Sequence, residues 1–89
     1  MAHTHGRLGV DQPAVYQIRV QGELDADWAD WFDDGGRVSS IVIHAEQGVT
    51  TLTGTVADQP ALYGLLGKIR DLSLALLSVN CIEVKGPLA

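Results

Sequence analysis

Between Val15 and Gly22 the apolar side chains Tyr16, Ile18 and Val20 alternate with Gln17, Arg19 and Gln21. A period of two sorts side chains onto opposite faces of an extended chain, so this stretch predicts a strand with one buried and one solvated face. Such alternation belongs to antiparallel sheets covered on one side only, because parallel sheets are buried on both. The period then changes: Leu24, Trp28, Trp31 and Phe32 fall at i, i+4, i+7 and i+8 among five aspartates, which predicts a short amphipathic helix over Glu23–Asp34. Asp25 or Gly22 serves its start, and Gly35–Gly36 supplies a left-handed stop. Arg37–Ala45 and Val49–Ala57 return to strand patterning and are joined by Glu46-Gln47-Gly48, a loop of hairpin length. In the first of them Ile41 and Ile43 are expected to face inward, with Ser40, Val42 and His44 on the other side, unless a bulge swaps the faces. In the second, Leu52, Gly54 and Val56 alternate with Thr51, Thr53 and Thr55.

After Asp58-Gln59-Pro60, Leu62, Leu65, Leu66, Ile69 and Leu72 recur at steps of three and four and predict a second, core-facing helix. Pro60 suits its first turn, where a missing N–H has no intrahelical partner, and Asp58 or Gln59 can cap the free donors. Gly64 and Gly67 each cost a helix about 1 kcal/mol relative to Ala. Both lie away from the apolar stripe, near Tyr63 and Lys68, and mark a low surface that another backbone can approach. The run Leu74–Val84, opened by Ser73, reads as a final and more deeply buried strand. Strand, helix, strand, strand, helix, strand is the order of the ferredoxin-like βαββαβ unit. The expectation is therefore an α+β two-layer sandwich, with two helices on one face of an antiparallel sheet. The domain spans residues 14–86, between a flexible N-terminal arm, 1–13, and a C-terminal tail, 87–89.

Eighty-nine residues with 46% hydrophobic content support a single modest core. The net charge of −5 and pI of about 4.8 argue against a surface that tracks phosphates, so no nucleic-acid partner is expected. Open-face aromatic pairs, on which RNA-recognition sheets stack bases, are also missing from the pattern. No apolar run reaches the length of a membrane span, and the N-terminus lacks the basic-then-apolar signature of a secretion signal. The lone cysteine, Cys81, sits in an apolar strand, where it reads as a buried, inert thiol in a reducing cytoplasmic setting.

Candidate chemistry is sparse. An EF-hand loop starting at Asp25 would need an oxygen ligand, a glycine and a glutamate where the chain has Ala29, Asp30 and Gly36. The two arm histidines, His3 and His5, are too few for a defined metal site, so no metal and no cofactor is expected. Two tryptophans and a phenylalanine in the first helix are assigned to the core, with a partner surface as the alternative if one indole stays partly exposed. On the open face, His44 and Arg19 are the polar groups suited to a ligand; no carboxylate, cysteine or serine adjoins His44 in sequence to suggest a dyad.

Leu52–Val84 resembles the ACT regulatory domain, through the Asp58-Gln59-Pro60-Ala61 loop, Leu62 after it, and the later strand Leu77–Val84. The resemblance implies a small-molecule effector at Asp58, Gln59 and Pro60. The chain departs from that family in three respects: this strand–loop–helix is its second βα unit, Ala61 stands at a usual glycine, and Ser73 replaces another at the helix end. Tyr16–Glu83 as a whole resembles short stand-alone bacterial proteins that open on YxIRVxGxLDxxWxxWF and close on DQxxLxGLLxKIRDLxLxLLSV. That resemblance implies the fold and carries no activity. Three readings follow. The first is a non-catalytic assembly module that forms a homo-oligomer through its sheet face (Thr51, Thr53, Thr55), an edge strand or its helix face (Tyr63, Gly64, Gly67). The second is a small-molecule-binding regulatory domain; the third, a dimeric α+β barrel enzyme using Arg19 and His44. No catalytic constellation favours the enzyme.

Overall fold

The computed structural model describes residues 12–85. The expected arm up to residue 11, with His3 and His5, and the expected tail lie outside the described residues. The elements are β1 (Ala14–Gln21), a 3₁₀ turn (Ala26–Trp28) running into α1 (Ala29–Phe32), β2 (Val38–Glu46), β3 (Val49–Val56), α2 (Gln59–Asp71) and β4 (Leu76–Val84). The four strands form one antiparallel sheet in the order β2-β3-β1-β4, and the fold is α+β. Among the described residues no helix is long and apolar enough to cross a membrane.

The central strands carry the core. Ala14, Tyr16, Ile18 and Val20 of β1 and Thr50, Leu52, Gly54 and Val56 of β3 are buried, following the alternation in both sequences. Phe32, Val38, Ala61, Leu62, Leu65 and Ile69 complete the cluster. β2 joins it through a bulge. Ser39 pairs with Thr55 but Val42 pairs with Thr53, so Ser40 and Ile41 together oppose Gly54. Ser40 takes φ 55°, the left-handed region, and the extra residue lets Val38, Ile41 and Ile43 all reach the core although their spacing is not even. Gly54 makes room for this: a Cβ there would lie 2.6 Å from Ile41 Cδ1 and 3.4 Å from the Ser39 carbonyl oxygen. The β2–β3 hairpin closes on Gln47 and Gly48, with φ 55° and 79°, as a type I′ turn.

The segment between β1 and β2 is less helical than expected. In place of one helix over Glu23–Asp34 the chain makes a 3₁₀ turn and a single α-turn, started by Asp25, whose carboxylate accepts from the Asp27 amide at 3.0 Å. Thr50 shapes this route. Its buried hydroxyl accepts from the Leu24 amide at 2.9 Å and donates to the Gly22 carbonyl at 2.7 Å, which ties the chain on either side of Glu23 to β3. Phe32 is fully buried, Leu24 and Trp28 are partly so, and Trp31 stays 43% exposed. Trp31 meets Trp28 and Phe32 edge to face, at centroid distances of 5.6 and 5.1 Å, with the Lys68 ammonium 5.5 Å from its ring centre.

α2 follows the sequence closely. The Asp58 carboxylate accepts from the Ala61 amide at 2.8 Å, capping the N-terminus. The C-terminus closes through Ser73 at φ 60°, with its amide donating to the Arg70 carbonyl at 2.8 Å and the Leu74 amide reaching the Ile69 carbonyl at 3.5 Å. This is a Schellman closure with serine at the position where glycine has no Cβ penalty.

β4 corrects the expected deeply buried final strand. It pairs with β1 alone, at an edge of the sheet, and most of its residues are exposed. Cys81 is exposed with it and is not a buried thiol. The expectation rested on apolar content, but burial follows from having covered faces and neighbours on both sides, and an edge strand lacks one neighbour.

Candidate functional site

Strand register brings the open-face residues into lateral rows. Thr51 pairs with His44 on β2 and with Arg19 on β1, and Arg19 pairs in turn with Ser78 on β4. One row thus crosses the whole sheet as His44, Thr51, Arg19, Ser78. His44 and Arg19 are two strand spacings apart, roughly 10 Å between Cα atoms. Glu46, two residues beyond His44 on the same face, sets its carboxylate 3.4 Å from His44 Nε2. A shallow, open depression of about 280 Å³ lies here, lined by Arg19, His44, Glu46, Gln47, Val49 and Thr51. The structure therefore unites Arg19 and His44, two of the residues singled out from sequence, around a third, Thr51. The sequence pattern placed Glu46 in the hairpin loop, whereas it is the last residue of β2. The signal was the i, i+2 step, which on a strand returns to the same face.

Across the described residues the basic and hydroxyl groups differ in how they are engaged. Arg37 pairs with Asp58 at 3.3 Å and Arg70 with Asp71 at 3.4 Å, and Lys68 donates to the Trp31 carbonyl at 3.1 Å. Arg19 has no hydrogen bond or ion pair among the described residues, and neither does the Thr51 hydroxyl. The Ser78 hydroxyl is shielded from solvent and also has no hydrogen-bond partner there.

The Asp58-Gln59-Pro60 loop lies apart from this depression, at the start of α2. Asp58 serves the helix cap and Arg37. The Gln59 side-chain amide donates to the Tyr16 hydroxyl at 2.8 Å. Burial raises the Tyr16 phenol above its ordinary value of 10.0, and the hydrogen bond from Gln59 works in the opposite direction. Tyr63 and Gly64 are exposed on α2, with open space where a Gly64 Cβ would stand, while a Cβ on Gly67 would meet the Arg70 guanidinium at 3.7 Å. Thr51, Thr53 and Thr55 are half-buried along β3, and Val42 is exposed beside Thr53.

A second surface is β4 itself, which the strand order identifies as one of the two edge strands. Leu76, Leu77 and Ile82 are 50%, 48% and 53% exposed, and no charged side chain stands between Leu72 and Ile82. Register shifts against β1 fall at Leu77 and at Ile82, leaving Ser78–Cys81 as the regular stretch. The apolar run was visible in the sequence; its position at a sheet edge was not.

No curated protein and no solved structure matches the chain. A family model described as a domain of unknown function, DUF8691, matches residues 15–80, from β1 into β4. With most of its length matched, the chain belongs to the DUF8691 family.

Proposed function

We propose that the protein is a non-catalytic assembly module of ferredoxin-like fold that pairs with a second copy of itself through β4. The element order and the placement of β1 and β3 between edge strands β2 and β4 support the fold reading, as two interleaved β–α–β crossovers produce that order. One observation carries the function: a nine-residue edge strand that is uncharged up to Ile82 and exposes three large aliphatic side chains. Edge strands that remain solitary carry charges, prolines or strong bulges. β4 has bulges at both ends but neither charge nor proline in the regular stretch between them.

Two arguments favour a second copy. The strand is about 30 Å long and a helix-on-sheet layer pair about 20 Å thick, so edge-to-edge docking covers roughly 600 Å² per protomer, about 1,200 Å² in all. That is the lower end of the specific range. A two-fold axis near Asn80 also brings Ser78–Cys81 against itself in antiparallel fashion, where an acidic chain meets its copy through an uncharged stretch. Sedimentation equilibrium tests the reading. The wild type is expected to dimerise at micromolar concentration, and Leu77→Lys and Ile82→Lys to be folded monomers by circular dichroism. A short bis-maleimide linker should trap wild-type dimers through Cys81. A strictly monomeric wild type, or a dimer untouched by both lysines, overturns it.

A further inference from the structure

We infer that the depression on the open sheet face binds a small carboxylate carrying a hydroxyl at its far end, with Arg19 and Thr51 on the carboxylate and the His44–Glu46 pair on the hydroxyl. This site is independent of β4 pairing and makes a different use of the molecule. Arg19 supports it first. In a chain with eleven acidic and six basic residues, Arg19 projects from a central strand and is left without an acidic partner among the described residues. A guanidinium offers a planar fork of donors matched to a carboxylate. Thr51, its direct cross-strand partner, adds a hydroxyl that has no internal hydrogen bond among the described residues.

The far side of the depression has the opposite polarity. Glu46 is an acceptor when ionised. His44 Nε2 lies 3.4 Å from Glu46 Oε1, and in the tautomer that donates to Glu46 the ring's Nδ1 is a second acceptor. Acceptors at one end and donors at the other select a ligand with a carboxylate and a hydrogen-bond donor, not a bare anion. The depression, about 280 Å³ and open to solvent, suits a small ligand of this kind.

The test is a titration of the full ¹⁵N-labelled chain with 4-hydroxybutyrate, butyrate and inorganic phosphate. The expected result is saturable shifts of the residue 19, 44, 46 and 51 amides with 4-hydroxybutyrate, weaker ones with butyrate, and weakest with phosphate. Arg19→Gln, at an exposed position, should weaken 4-hydroxybutyrate by about tenfold or more. Glu46→Ala should reduce its affinity to that of butyrate. Leu77→Lys should leave binding unchanged, which separates this site from the β4 surface. Equal binding of butyrate and 4-hydroxybutyrate, tighter binding of phosphate, or no shift at these four residues with any probe would each overturn the inference.

Discussion

β3 and β4 make an instructive pair. β3 reads VTTLTGTV, five of its eight residues threonine or glycine, yet Thr50, Leu52, Gly54 and Val56 are buried. β4 reads LLSVNCIEV, the more apolar of the two, and is largely exposed. Residue type therefore ranks the two strands in the wrong order. What differs is the number of neighbours. β3 is flanked by β2 and β1 and lies beneath Leu62, Leu65 and Ile69 of α2, whereas β4 has only β1. A side chain is buried by what surrounds it, whatever its own polarity.

The sharpest way to break this contrast is to truncate one leucine in each strand. Leu52→Ala should cost about 2–5 kcal/mol in urea unfolding, because the site is closed on all sides. Leu77→Ala should stay within about 0.5 kcal/mol when measured on the monomer. Equal costs would show that β4 is buried in the free chain. Next in size is Thr50→Val, which keeps the shape of a buried β3 side chain but strands the Leu24 amide and the Gly22 carbonyl. A loss of about 1–3 kcal/mol is expected, together with faster amide exchange at Leu24. An unchanged midpoint would remove Thr50 as the pin of the β1–α1 connection.

Smaller gains are expected away from both strands. Ser73→Gly relieves a left-handed serine at the end of α2, and Gly64→Ala removes backbone freedom at an open helical position; each should add about 0.5–1 kcal/mol. If Gly64→Ala instead lowers the association constant without lowering stability, the interface extends onto α2. The smallest effect concerns pH. Burial raises the Tyr16 phenol in the folded chain, so above pH of about 10 the unfolded state ionises first and stability falls as pH rises through the folded value. Tyr16→Phe should flatten that decline in alkaline thermal melts.

Much of the fold was legible because it depends on local order. Alternation in β1 and β3, the hairpin at Gln47-Gly48, and the Asp58 cap with its Leu62/Leu65/Ile69 stripe are properties of a few consecutive residues. The first helix was misread in length because what holds the chain there is not local: the Thr50 hydroxyl, 26 residues from Leu24, bonds the Leu24 amide and the Gly22 carbonyl and fixes residues 22–24 against β3. At the candidate site Arg19 and His44 were visible as open-face polar residues. Their proximity follows from the strand pairing that sets Thr51 between them, and pairing across strands is not written in either strand alone.

By itself, the sequence determined which faces of β1, β3 and α2 are apolar and where the β2–β3 hairpin and the α2 cap fall. The tertiary structure alone decided the order of strands in the sheet, and with it which apolar strand is left at an edge. The physical reason is that periodicity records what one segment wants to cover, while burial requires a second segment to arrive. In this chain β1 and β3 receive such neighbours on both sides, and β4 is left with one.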